Sequence, residues 1–264
     1  MLLSPLNISV NVDHARPRTL TRSASQGSSR LQIHFPGSST RTLVGDTYPF
    51  RPSLTQITLC EAITGHCPAA RHFFPETPCR SPHESQTLFR VFRGELVQID
   101  PPRYDNRPII VCVKVGHGPE ESKALEKEGR FYDTHLAALQ DEVVPVFYGF
   151  YTAEDKNLGE VSCLVTEYCD GSQLYIEDQE EFVRLIMVAT YKLHQAGVMH
   201  RHLKSDFRHF VMKGPKLFIV DFTDAILHEC DTCPTIGDSI DPNPNQCREL
   251  YNMERKFVNM DDTI

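Results

Sequence analysis

Tryptophan is absent from the 264 residues, and so is any apolar run near the roughly 20 residues that cross a bilayer as a helix. The opening Met1-Leu2-Leu3-Ser4-Pro5 has neither the basic start nor the apolar length of a secretory leader. An intracellular protein, cytoplasmic or nuclear and without membrane association, is expected. Basic clustering is lacking too. Lys+Arg number 27 against 35 Asp+Glu, giving a formal charge of -8 and a pI near 5.8. Such a chain offers no cationic face for a phosphate backbone, so nucleic acid is not an expected partner. The nine cysteines are odd in number and scattered through strand-like segments such as those of Cys112 and Cys163. That spacing predicts reduced thiols and no disulfide scaffold. No internal repeat is visible. What remains is an acidic globular protein, whose 40% hydrophobic content is enough for a buried core.

Along the chain, residues 1–50 read as a flexible, low-complexity region. Ser23, Ser25, Ser28 and Ser29 sit among Arg22 and Arg30, and one candidate strand runs from Leu31 to Phe35. Residues 51–87 mix proline and cysteine without periodicity. From Leu88 the pattern sharpens: Leu88 to Val97 and Ile109 to Val115 predict a hairpin. Pro119 to Leu139 predicts a polar helix, and Val143 to Tyr151 and Val161 to Tyr168 predict two further strands. Phe182, Leu185, Ile186, Ala189 and Leu193 recur at helical spacing and stop at Gly197. Phe210–Met212 and Leu217–Val220 predict a short hairpin, and Leu250, Met253, Phe257 and Met260 place one apolar stripe on a last helix.

Four marks carry chemistry. Val111-Cys112-Val113-Lys114 is an apolar strand ending in an amine that needs a partner if buried. Glu128, in Leu125-Glu126-Lys127-Glu128-Gly129-Arg130-Phe131-Tyr132, is the partner candidate, with Glu121 and Glu126 as competitors. Gly197-Val198-Met199-His200-Arg201-His202-Leu203-Lys204 is a histidine-bearing loop, and Asp221-Phe222-Thr223 follows an apolar strand. In this order they resemble the lysine strand, regulatory-helix glutamate, His-Arg-Asp catalytic loop and Asp-Phe-Gly metal site of protein kinases. The resemblance covers about residues 88 to 260 and is similar in layout to small-molecule phosphotransferases and to divergent fungal kinase-like proteins.

The resemblance implies an α+β, two-lobed protein-kinase-like fold. Its domain would span residues 88–264, with a small antiparallel N-terminal sheet (88–168), a hinge near Tyr168 and a truncated, mostly helical C-terminal lobe (169–264). It also implies ATP and Mg2+ as ligands. Lys114 would hold the phosphates and Glu128 would brace it, while Thr166 would stand as gatekeeper. Backbone groups of Glu167 and Cys169 would meet adenine, and Asp221 would bind the metal. The loop departs from the family because no aspartate occupies the base position. Counted forward, that position is His202, with Lys204 on phosphate and Phe207 at the second-metal position. Counted back from Phe210, it is Lys204, with His209 at the second metal. A two-residue insertion would bring in Asp206. Only Gly94 marks the place where a glycine-rich loop would end.

Three functions follow as expectations: ATP-dependent transfer to a Ser/Thr hydroxyl of a protein substrate, an inactive pseudokinase serving as a scaffold for a binding partner, or phosphotransfer to a small aminoglycoside-type molecule. Separately, His228, Cys230, Cys233 and Cys247 are candidate zinc ligands, since Cys230-Asp231-Thr232-Cys233 has ligand spacing; the second pair is incomplete, and Cys247 also fits the apolar stripe of the last helix.

Overall fold

The computed structural model describes residues 29–34, 40–46, 54–63, 89–100, 107–155, 159–169, 179–204, 207–230 and 247–257. Seven strands form a closed barrel. They are β1 (Ser29–His34), β2 (Thr40–Asp46), β3 (Leu54–Ala62), β4 (Arg90–Asp100), β5 (Ile109–His117), β6 (Phe147–Asp155) and β7 (Gly159–Glu167), in spatial order β1-β2-β6-β7-β5-β4-β3. All neighbours run antiparallel except β1 and β3, which pair in parallel with Ile33 opposite Ile57.

Alternation explains the closure. Successive side chains of a strand point to opposite faces, so Leu31 and Ile33, Leu43, Ile57 and Leu59 share one face. They meet Val111, Val113 and Val115 of β5 and Val161, Cys163 and Val165 of β7 in one buried cluster. The even positions of β7 turn outward, and Leu164 joins a second cluster built on the helices. Both faces of β7 are thus covered, and its burial is nearly continuous.

That second cluster is formed by α1 (Pro119–Asp133), α2 (Gln179–Gln195), α3 (Arg248–Phe257) and two short antiparallel ladders. The ladders pair β8 (Val198–Met199) with β11 (Ile226–Leu227), and β9 (Phe210–Lys213) with β10 (Lys216–Ile219). The hairpins and helices expected from periodicity after Leu88 are present with shifted ends. The strand expected from Val143 begins only at Phe147, and the helix expected to reach Leu139 ends at Asp133, before a 3-10 turn at Ala137–Leu139.

The expected fold class is overturned. A two-lobed molecule with a small antiparallel N-terminal sheet and a truncated helical C-terminal lobe is not what forms. Among the described residues sheet predominates, a seven-stranded barrel closes, and only three α-helices occur. The physical reason is the apolar face of β1, β2 and β3, which lie in the segment before Leu88 and fill the gap between β4 and β6. After Glu167, two of the three helices share their core with three short strands, β8, β9 and β10, while both residues of β11 are exposed. The Ser- and Arg-rich stretch before Ser29, and Met260 of the expected last stripe, lie outside the described residues. No helix among those residues is long and apolar enough to cross a membrane.

Candidate functional site

The alternation that sends Val111, Val113 and Val115 into the barrel turns Cys112 and Lys114 to the opposite face, toward α1. Burial pushes the Cys112 thiol up to about 12, which keeps it protonated. Helix α1 starts with Pro119 in its first turn and with Glu120 and Glu121 near its positive end. It packs on β6 and β7 through Leu125, Tyr132 and Gly129, where an added methyl would stand 3.3 Å from Phe150 Cβ. The glycine that weakens the helix therefore lets it approach the sheet.

This packing brings Glu128, 2% exposed, to the lysine. Lys114 Nζ donates to Glu128 Oε2 at 2.9 Å, to Asp221 Oδ1 at 2.5 Å and to Thr223 Oγ1 at 2.6 Å. Glu128 Oε1 accepts the Phe222 amide at 3.1 Å. The Thr223 hydroxyl lies 2.9 Å from Glu128 Oε2 and 2.8 Å from Asp221 Oδ1, and its single proton serves one carboxylate at a time. The Phe89 ring centroid lies 4.7 Å from the ammonium, within range of a cation–π contact. Burial opposes charge on Lys114, but Glu128 and Asp221 outweigh it and hold the amine above its usual range. Partial desolvation in this crowded group pushes Asp221 up although its side chain is 45% exposed, and Lys114, aided by His209, overrides it and holds the carboxyl well below its usual range. The group is therefore ionic at neutral pH. Asp221 has φ 70° and Arg201 φ 78°, a left-handed backbone costly for side-chain-bearing residues and concentrated at functional sites.

The histidine loop is held from beneath. His200 Nε2 donates to the Val220 carbonyl at 3.0 Å. Burial, with His209 nearby, depresses its pKa to about 4, so the imidazole is neutral. The backbone amides of His200 (2.9 Å) and Arg201 both donate to the carboxylate of Glu249 in α3. Burial raises the Glu249 pKa, but its hydrogen bond from His194 and its amide donors bring it below the usual range. An aromatic column links β6 to this loop: Phe147 stacks on Tyr132 with centroids at 5.5 Å, Tyr132 meets Phe222 edge-on at 5.4 Å, and Phe222 meets His200 at 5.0 Å.

The two loop counts divide between its ends. His202 Nε2 lies 3.0 Å from Asp224 Oδ2, and its ring centroid is 6.2 Å from that of His209. His209 Nδ1 in turn stands 3.8 Å from Asp221 Oδ2. Lys204 points away, donating to Asn252 Oδ1 of α3 at 3.1 Å. Phe207 is buried against Phe257 and Phe210. The loop thus sets His209 beside Asp221 and His202 beside Asp224 and His209, and leaves Lys204 and Phe207 apart from them. Asp206 lies outside the described residues.

At the end of β7, Thr166 is buried, and the Glu167 amide is already committed to Val146 O at 2.8 Å. The Glu167 carboxylate pairs with Lys213, and Cys169 is partly buried two residues beyond the strand. Gly94 is no phosphate loop. It lies inside β4 between Leu59 and Val111, where a Cβ would meet Ile57 Cγ2 at 3.0 Å and the Thr58 carbonyl at 3.2 Å. Its lack of a side chain serves barrel packing.

Sequence reasoning missed Glu249 and Thr223. Glu249 had a signal, for it precedes Leu250 and lies one turn before Met253, on the edge of the apolar stripe. Thr223 had none, because it stands where the resemblance places a glycine, which carries no side chain.

No protein-family model matches the chain. Two Arabidopsis thaliana proteins are similar over a stretch of 119 residues: serine/threonine-protein kinase KIPK2, at 28% identity, and serine/threonine-protein kinase KIPK1, at 27%. Each match takes in 40% of this chain and only 12% of the relative's length. The similarity to plant serine/threonine kinases is therefore weak and partial.

Proposed function

We propose that this chain is a kinase-like protein that binds ATP with Mg2+ and transfers phosphate to a Ser/Thr hydroxyl. One observation carries the reading: Lys114, Glu128 and Asp221, from β5, α1 and the turn after β10, converge on one ionic group. Phosphoryl transfer is mostly positioning and charge neutralisation. The residues present fit that task. Lys114 is a cation for phosphate oxygens, held by Glu128, and Asp221 is a hard oxygen ligand with His209 beside it. Mg2+ would supply neutralisation of phosphate charge. All three Lys114 donors are occupied, so nucleotide must exchange for Asp221 or Thr223 on the amine. His202 is the candidate base: its Nε2 faces Asp224, which favours the tautomer with a basic Nδ1. The weak kinase similarity supports the same assignment.

A second reading is favoured by the loop itself, where the candidate base positions hold His202 and Lys204, neither a carboxylate, and Lys204 is turned onto α3. It makes the chain a nucleotide-binding pseudokinase that acts as a scaffold. Thermal melts with ATP and Mg2+ on wild type, Lys114→Ala and Asp221→Asn test the shared premise. Ligand at ~100 times Kd stabilises by about 2.7 kcal/mol, which raises the melting temperature by roughly 5 to 10 °C. The wild type is expected to show that rise and both variants to lose it. An equal rise in all three refutes the site. Phosphate transfer to Ser/Thr peptides that His202→Ala abolishes, with the ATP shift kept, selects the kinase, whereas a shift without transfer selects the pseudokinase.

A further inference from the structure

Away from the lysine group, the end of α2, the exit of β11 and the residue before α3 bring together His194, His228, Cys230 and Cys247. One nitrogen or sulfur donor from each lies within 4.8 Å of all the others. Local structure fixes the set. His194 sits in the last turn of α2 with its side chain fully buried. His228 is placed by the β8–β11 ladder and by its amide, which donates to Gly197 O at 2.9 Å. Cys230 packs two residues later against the core, and the Cys247 carbonyl accepts the Tyr251 amide at 2.9 Å as α3 begins. The two imidazoles meet edge-on at 5.4 Å.

A second observation points to a ligand. His194 Nε2 lies 3.0 Å from Glu249 Oε2, while its Nδ1 lies 3.7 Å from Cys247 Sγ. A carboxylate on one ring nitrogen with the other turned into a donor cluster is the outer-shell arrangement of metal-bound histidine. A tetrahedral zinc with bonds of about 2.0–2.3 Å separates its ligand atoms by about 3.3–3.8 Å, and the Cys247–His194 pair already has that spacing. The alternative is a buried thiol–imidazole hydrogen bond, which would need neither His228 nor Cys230 nearby.

We propose that the chain binds one structural zinc ion through His194 Nδ1, His228, Cys230 Sγ and Cys247 Sγ. The S2N2 donor set suits zinc, and four protein ligands leave no open position, so the site is structural. On binding, each thiol loses its proton to solvent and each imidazole bonds through a ring-nitrogen lone pair. Two thiolates then cancel the ion's double charge, and two protons leave per zinc. The ion ties together segments that local sequence does not join. It also steadies Glu249, the acceptor for the His200 and Arg201 amides, and so acts as a prop under the histidine loop. This inference does not depend on nucleotide binding.

The test uses the full chain, purified under reducing conditions. Elemental analysis of the wild type is expected to give one zinc per chain, unchanged in Cys60→Ser on β3 and lost in Cys247→Ser and His194→Ala. Because those variants can misfold, the wild type is also stripped with a chelator and titrated with Co2+. The visible spectrum of a tetrahedral thiolate site should appear at one equivalent with release of two protons, and zinc should then bleach it with no further release. Glu249→Gln should weaken zinc binding about tenfold. Absence of both zinc and the cobalt spectrum from the wild type overturns the proposal. So does full zinc content in Cys247→Ser and His194→Ala, or a Cys230–Cys247 disulfide in the peptide map of unreduced protein.

Discussion

Replacing Lys114 with Met tests the ionic group without reference to any ligand. The amine is 12% exposed and its partner Glu128 only 2%, so Lys114→Met leaves a carboxylate buried without its cation. Breaking a buried pair on one side costs about 3–5 kcal/mol. Two donors to Glu128 survive, the Phe222 amide and the Thr223 hydroxyl, so the low end, about 3 kcal/mol, is expected. Asp221 contributes little to that figure, since at 45% exposure water replaces the lost ammonium. Adding Glu128→Gln removes the stranded charge while keeping an oxygen for the Phe222 amide. The double variant is therefore expected to regain about 2 kcal/mol, a coupling that a double-mutant cycle reads directly. Urea unfolding at neutral pH measures all four proteins. A loss under about 1 kcal/mol for Lys114→Met, or a double-variant loss equal to the sum of the singles, would refute the buried pair.

Three further outcomes are expected. Gly94→Val drives methyls into Ile57 and the Thr58 carbonyl and should cost about 1–3 kcal/mol in urea unfolding, with no loss if β4 can shift. His200, with a pKa near 4 when folded against an ordinary 6.5, binds its proton more readily unfolded. Stability should fall as pH drops from 6.5 toward 4, by about 2 kcal/mol between pH 7 and pH 5. His200→Gln should flatten that part of the profile, and an unchanged slope in urea midpoints would contradict the burial argument. Asp221 and Glu249, both held below their usual range, add acid sensitivity only once pH falls through the carboxylate range. That further loss should persist in His200→Gln.

Lys114 was legible because the alternation of its apolar strand assigns it a face, Asp221 because it follows an apolar strand, and Glu128 because it lies on the helix between β5 and β6. The barrel was not. Leu31 and Ile33 are interleaved with Arg30, Gln32 and His34, so their alternation is short, and what makes it consequential is pairing with β3 and closure against β6. Nothing local encodes those contacts. The donor cluster was half legible. Cys230 stood out by its spacing to Cys233, with His228 and Cys247 as added candidates, while His194 lies on the buried face of α2, where an imidazole reads as core. Cys233 lies outside the described residues.

Closure by β2 and β6 has a kinetic consequence. That seam is narrow, with register pairs Val44–Thr152, Gly45–Tyr151 and Asp46–Phe150, and any Cβ on Gly45 would fall 2.1 Å from the Phe150 carbonyl. Thr152 lies 108 positions after Val44 (152 − 44), so at about 5–20 residues per second a ribosome needs roughly 5–20 seconds to supply the missing strand. Throughout that interval the nascent β2 keeps an unsatisfied row of amides and carbonyls, open to the same strand of another newborn chain. Once shut, the same slender join is the place where the finished protein should breathe first.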